Sequence, residues 1–251
     1  MPTRAPTIVP ARFDAGIAPS RRIGLVVLSS DQVGEGAFHG IAEGAGARVF
    51  TTRVMYRYVP ADAPDQEDVE LAAAAGQLLP EAGIDCLAFS CTSRSAEKGE
   101  QAMIDLLEAA RPGVAATTPL LAARLALTQL GARRIALVSP YKRSVHEAVV
   151  AACEGAGFDI SASSCFDLAL GTDFARLTPA AIAEAAIAAA DCGSQAVFIS
   201  CTGIRAVEAI ATVERVTGLP VVTSSQALAW HALRLVGVED PAGPGRLFAL
   251  V

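Results

Sequence analysis

Ala88-Phe89-Ser90-Cys91-Thr92 and Phe198-Ile199-Ser200-Cys201-Thr202 each close an apolar run with the same Ser-Cys-Thr turn, 110 residues apart. Other echoes keep nearly that spacing. Arg133-Arg134-Ile135-Ala136-Leu137-Val138-Ser139 repeats Arg21-Arg22-Ile23-Gly24-Leu25-Val26-Val27 at an offset of 112. Pro220-Val221-Val222-Thr223-Ser224-Ser225-Gln226-Ala227-Leu228-Ala229 repeats Val114-Ala115-Ala116-Thr117-Thr118-Pro119-Leu120-Leu121-Ala122-Ala123 at an offset of 106. Three matches in the same order imply two similar lobes, because the period far exceeds that of solenoid repeats.

The runs within the repeat decide the fold class. Residues 23–28, 49–54, 86–89, 114–117, 135–138, 196–199 and 221–223 are short and apolar, as parallel strands buried on both faces are. Between them, residues 67–80, 95–110, 119–130, 144–156, 179–191, 203–217 and 225–236 have helical period. This alternation predicts an α/β fold with parallel sheets. Residues 1–20 read as an extended or disordered lead, 21–130 as an N-terminal lobe and 131–225 as a C-terminal lobe. Residues 226–251 form a terminal helix and tail with room to cross back to the first lobe.

Composition narrows the function. The 251 residues are 52% hydrophobic and 18% charged, enough apolar surface for a large core. A net charge of -6 argues against nucleic acid, whose phosphates need a basic face. Aromatic residues, at 5%, are too few for base-stacking platforms. The Ala-rich stretch 180–190 is too short to span a membrane and contains Glu184. Residues 1–22 lack the apolar core of a secretion signal, so a cytoplasmic, reduced protein is expected. Its six cysteines then read as packed or catalytic residues, not as disulfides. The Ala-rich helical surface makes a homo-oligomer the expected state.

The repeat separates the cysteines. Cys86, Cys153, Cys165 and Cys192 read as packing residues. Cys91 and Cys201 stand at matching strand ends, where ligands of parallel sheets bind. A helix start beside each would favour an anion and lower the thiol pKa. Two facing lobes would present the two thiols across one cleft, one as base and the other as acid, or either as a nucleophile. Thr92, Ser93 and Thr202 could donate to a carboxylate or cap helices, as could Thr117, Thr118, Thr223, Ser224 and Ser225. Ser30 and Asp31 end the first strand, and Tyr141 ends its repeat mate.

Other chemistries fit less well. The only lysines, Lys98 and Lys142, do not suit a Schiff base, and no phosphate loop or dinucleotide fingerprint occurs. His39, His146 and His231 are scattered without metal-ligand spacing, with His231 the best placed for a site role. No cofactor and no metal are expected.

With both Ser-Cys-Thr motifs, the Pro220–Trp230 stretch and the closing Gly245-Arg246-Leu247-Phe248, the chain resembles the aspartate/glutamate racemase superfamily over residues 21–248. It is most similar to the branch of maleate cis-trans isomerases and arylmalonate decarboxylases, and within it to the ectoine-utilisation protein A group. The resemblance implies two flavodoxin-like lobes, a site between them and no cofactor. It assigns Cys91 and Cys201 as catalytic and Thr92, Ser93 and Tyr141 as holding a substrate carboxylate or enolate. Arylmalonate decarboxylases carry glycine at the first cysteine, so two cysteines imply an isomerase or racemase. Where maleate isomerases have asparagine this chain has Asp31, an acceptor expected to repel a dicarboxylate or to prefer an ammonium group. Asp173 is a loose match to a further substrate-binding asparagine. The expected function is racemisation or epimerisation of a small amino acid or carboxylate, with a role in ectoine or hydroxyectoine catabolism implied. Cis-trans isomerisation through a Cys91 adduct and non-catalytic small-molecule binding are the alternatives.

Overall fold

The computed structural model describes residues 5–55, 65–79, 83–169, 171–190 and 193–249. Two four-stranded sheets, all parallel, form its frame. The first comprises β1 (Arg22–Leu28), β2 (Arg48–Val54), β3 (Cys86–Ser90) and β4 (Ala115–Thr117), in the order β2-β1-β3-β4. The second comprises β5 (Arg134–Tyr141), β6 (Asp159–Leu168), β7 (Ala196–Ile199) and β8 (Val221–Thr223), in the order β6-β5-β7-β8. The orders are equivalent, and both are the flavodoxin-like winding. Register follows the repeat: Ile23 pairs with Cys86, and Ile135 with Ala196.

The helices are α1 (Gly34–Gly44), α2 (Asp65–Gly76), α3 (Thr92–Lys98), α4 (Glu100–Ala110) and α5 (Pro119–Gln129) in the first half. The second half has α6 (Arg143–Gly155), α7 (Gly171–Phe174), α8 (Pro179–Ala189), α9 (Ala206–Thr217) and α10 (Ser224–Leu235). Residues 5–20 carry neither helix nor strand and lie almost wholly exposed. No described helix is long and apolar enough to cross a membrane.

Three elements differ from the sequence expectation. Helix α1 was hidden by Gly34 and Gly36, which lower helix propensity. Gly34 is required there, because a Cβ would come within 2.9 Å of the Thr202 carbonyl oxygen in the other lobe. The segment expected as one helix at 95–110 is split at Gly99, whose φ of 91° interrupts α3 and α4. Strand β6 runs over ten residues and is not among the apolar runs of the sequence. It is an edge strand of polar composition, DISASSCFDL, with no continuous apolar run to reveal it.

The last helix of each half packs in the other half. Leu228, Ala229, Ala232 and Leu233 of α10 join Ile23, Leu25 and Phe38 in the first lobe's core. Conversely, Leu120, Ala123, Ala126 and Leu127 of α5, inside the sequence bounds 21–130, join Ile135, Leu137 and Phe198. Helix α10 is buried around most of its circumference, as a helix between two layers must be. Each fully buried leucine contributes about 2 kcal/mol, so this exchange ties the lobes together. Its ends are fixed by caps: Thr118 accepts from the Leu121 N–H, and Thr223 and Gln226 form a capping box. The closing motif docks below, with Leu247 buried and the Pro244 carbonyl accepting from Gln226.

Candidate functional site

The carboxyl ends of β1, β3, β5 and β7 converge on one cleft of about 390 Å³. In each sheet the winding reverses beside β1 or β5, which is where open α/β sheets leave a crevice. Ser30, Asp31, Cys91, Thr92, Ser93, Tyr141, Cys201 and Thr202 all line it. Gln32, Lys142, Ser144, Val145, Leu168, Gly203 and Phe174 line it as well, without having been assigned a role from sequence.

Cys91 is 5% exposed and N-caps α3 with extended backbone, φ -147°. Its thiol receives the Arg94 N–H and approaches the Ser93 hydroxyl at 3.6 Å. The Ser95 hydroxyl donates to the Cys91 carbonyl at 2.7 Å and fixes the turn. Cys201 is 6% exposed but is built differently. Its φ is 111°, a conformation costly for any residue with a Cβ. Its thiol accepts the Gly203 N–H at 3.3 Å and the Tyr141 hydroxyl. The expected helix start after Cys201 is absent: residues 202–204 form a turn, and α9 begins only at Ala206. Gly203 and the strained Cys201 backbone carry the chain out of the strand before a helix can begin.

Burial pushes both thiols up, Cys201 to about 12, against the lowering by Tyr141 and Gly203. The lowered values expected from helix starts are therefore not found. Desolvation outweighs the local N–H groups there. Burial likewise raises the Tyr141 hydroxyl well above the usual tyrosine value, so it stays protonated and can donate. The pairing of β5 with β6 slips between Ser139 and Tyr141, at Pro140, which has no N–H to give. Tyr141 then packs edge-on against Phe174, ring centroids 5.8 Å apart.

The hydroxyls of Thr92 and Thr202 are engaged between the lobes. Thr92 donates to the Ser224 hydroxyl at 2.9 Å, and Ser224 also accepts the Cys201 N–H at 3.0 Å. Thr202 donates to the Ser90 carbonyl at 3.1 Å, while Ser225 donates to the Thr202 carbonyl at 3.3 Å. Ser224 thus joins both cysteine loops from the start of α10. Its position in the repeated Thr-Ser-Ser stretch was visible in sequence, but the partners were not.

Asp31 does not act as a free acceptor. Its carboxylate takes the N–H groups of Val33, Gly34 and Glu35 at 3.3, 2.9 and 2.7 Å, closing the start of α1. These bonds stabilise its charge at the helix start, and that charge still opposes a thiolate at Cys201. Asp173 is not among the residues lining the cleft and pairs with Arg176 at 3.7 Å. His231 lies outside the cleft too, bonded to Thr117 at 2.7 Å, and burial lowers its pKa to about 4. Thr117, Thr118, Thr223 and Ser225 do not line the cleft. Cys86 and Cys153 are buried, Cys165 is half-buried on β6, and Cys192 lies outside the described residues.

The arrangement has solved counterparts. A cysteine-to-serine variant of maleate cis-trans isomerase from Nocardia farcinica, carrying a covalently bound succinylcysteine intermediate, superposes with a TM-score of 0.81 at 25% identity, over 91% of this chain and 98% of that one. A liganded arylmalonate decarboxylase variant, with a glycine changed to cysteine and a cysteine to serine, gives 0.79 at 26%, over 91% and 99%. In sequence, the arylmalonate decarboxylase of Bordetella bronchiseptica is 35% identical over 142 residues, 54% of this chain and 58% of that protein. Maleate isomerase of Nocardia farcinica is 33% identical over 123 residues, 48% and 49%. The chain thus matches about half the length of these curated relatives. The family model for arylmalonate decarboxylase matches residues 63–248, about three quarters of the chain, and the chain belongs to that family.

Proposed function

We propose that the protein is a cofactor-independent isomerase of a small carboxylate, with Cys91 and Cys201 as its working pair. The observation that carries this reading is that one thiol from each lobe lines a single cleft, with the Tyr141 hydroxyl on Cys201. The two thiols are not equivalent, which favours unequal roles. Cys91 has the N–H of Arg94 at its sulfur, a stabiliser of thiolate, and is the nucleophile. Cys201, held by Tyr141, is the acid and base.

On a cis-alkene diacid Cys91, reacting as its thiolate, forms a bond to one alkene carbon, and the π pair takes the proton of Cys201 at the other. The resulting single bond rotates. Cys201 thiolate then removes that proton, and the electron pair re-forms the alkene in trans geometry as the carbon–sulfur bond breaks. The succinylcysteine seen in the Nocardia farcinica enzyme is the adduct that such an addition would leave. Racemisation or epimerisation is the second reading, favoured by the placement of one thiol in each lobe. There one thiol removes the α-proton and the other returns one to the opposite face.

Assays in deuterated water with maleate, aspartate, glutamate and ectoine-derived diamino acids separate these readings. Fumarate from maleate, with a mass adduct on Cys91, supports the first. Deuterium at the α-carbon of recovered amino acid supports the second. Turnover that survives in full in both Cys91→Ala and Cys201→Ala sinks the pair. The ectoine role is proposed from the Ser29-Ser30-Asp31 pattern alone, and the diamino acids in the panel test it. We also propose a homo-oligomer, which light scattering checks.

A further inference from the structure

We propose that Lys142 is a specificity-determining residue that receives an anionic group at the end of the substrate remote from the reacting carbon. The inference rests on reading the cleft as the isomerase site. The cleft lining contains one basic and one acidic side chain among the described residues, Lys142 and Asp31. Asp31 is spent on three backbone N–H groups of α1. Those groups offset much of its charge, which still opposes a thiolate at Cys201. The chain as a whole is acidic, at -6, so its overall field does not draw an anion inward. Attraction for a second acidic group therefore falls to Lys142.

The placement of Lys142 suits that task. It directly follows Tyr141 at the junction of β5 and α6, and both residues line the cleft. Its ammonium donates to Asp167 at 3.3 Å, one of three N–H donors it carries. Asp167 is not a cleft-lining residue, its side chain is 59% exposed, and its other oxygen accepts the Arg143 N–H at 3.1 Å. That second bond keeps Asp167 in place at the start of α6 whether or not Lys142 stays on it. Exchange of one exposed carboxylate for another costs little, so Lys142 is free to turn to a ligand. The same argument bounds the gain, at roughly two- to fivefold in affinity for a half-exposed pair.

Calorimetric titration with succinate and with butyrate tests this, since the two share a four-carbon chain and neither has a reactive alkene. The unsubstituted protein should bind succinate more tightly than butyrate, and Lys142→Met should lose that advantage while holding butyrate unchanged. Lys142 is half-exposed, so the variant should fold, and an unchanged melting curve checks it. A succinate preference that survives Lys142→Met overturns the inference, as does the lack of any preference in the unsubstituted protein. Binding is read independently of turnover. If no substrate is isomerised yet the preference depends on Lys142, the anion site stands and the isomerase reading falls.

Discussion

The Cys91 and Cys201 loops carry the same Ser-Cys-Thr triplet at equivalent strand ends, yet they are different machines. After Cys91, Ser93-Arg94-Ser95 lets a helix start at once, and the cysteine becomes its cap in relaxed extended backbone. After Cys201, Gly203-Ile204-Arg205 turns the chain away, the helix waits until Ala206, and the cysteine sits at φ 111°. The lost helix N–H groups are replaced by the Gly203 N–H and by a phenol from the neighbouring strand. A repeat can therefore preserve the position of a reactive atom while changing how its charge is managed. The strain at Cys201 persists because Ser224 holds its N–H from a helix that is itself packed across the two lobes.

Removing the sulfur atoms is the harshest test of this difference. Cys91→Ala and Cys201→Ala should each lower turnover by about a thousandfold or more. Their residues should differ, however. With maleate, Cys201→Ala should leave material alkylated at Cys91, detected by peptide mass spectrometry, whereas Cys91→Ala should leave none. An adduct on Cys201 instead would reverse the assignment of nucleophile and acid.

Ser224→Ala cuts the link between the loops without touching either thiol. It removes the acceptor of two buried hydrogen bonds, and about 2 kcal/mol of stability should be lost in thermal melts. We expect kcat to fall tenfold to a hundredfold with KM nearly unchanged, because misplacement of a reacting group is felt mainly in the transition state. A fall in melting temperature with kcat intact would mean that the brace serves folding only.

A gentler probe asks how each thiol is tuned. The Tyr141 bond lowers the Cys201 pKa against burial, so Tyr141→Phe should raise it further. At a fixed pH between 7 and 9 (about one unit either side of an ordinary thiol's onset of ionisation), iodoacetamide should then label Cys201 more slowly. Labelling of Cys91, which owes its local support to Arg94 and Ser93, should not change. Equal slowing at both sites would show that the two sulfurs titrate as one coupled unit.

How much of this was legible beforehand follows from range. Strands β1, β3, β5 and β7 carry continuous apolar runs because they lie inside their sheets, and the matching positions of Cys91 and Cys201 follow from the repeat. Strand β6 at a sheet edge and α1 behind two glycines lack such patterning. The bonds of Ser224, Thr92 and Thr202 span 23 to 132 residues, and no local pattern encodes them. The pKa direction failed for a related reason. A helix start is a local feature visible in sequence, whereas burial of Cys91 and Cys201 depends on both lobes meeting.

Asp31 gives the mildest and most discriminating comparison, because it too sits after a strand, β1, with no counterpart on the β5 side, where Tyr141 and Lys142 stand. Asp31→Asn keeps one acceptor oxygen for the N–H groups of α1 but removes the charge that the helix start favours. The loss should be about 0.5–1 kcal/mol, read as a small drop in melting temperature. Because Asp31 adds to the rise of the Cys201 pKa, the variant should also label slightly faster at Cys201. Succinate affinity should tighten by about twofold or less, since three backbone N–H groups offset much of a charge that still acts on Cys201. A tenfold tightening would show that the full charge of Asp31 reaches the ligand.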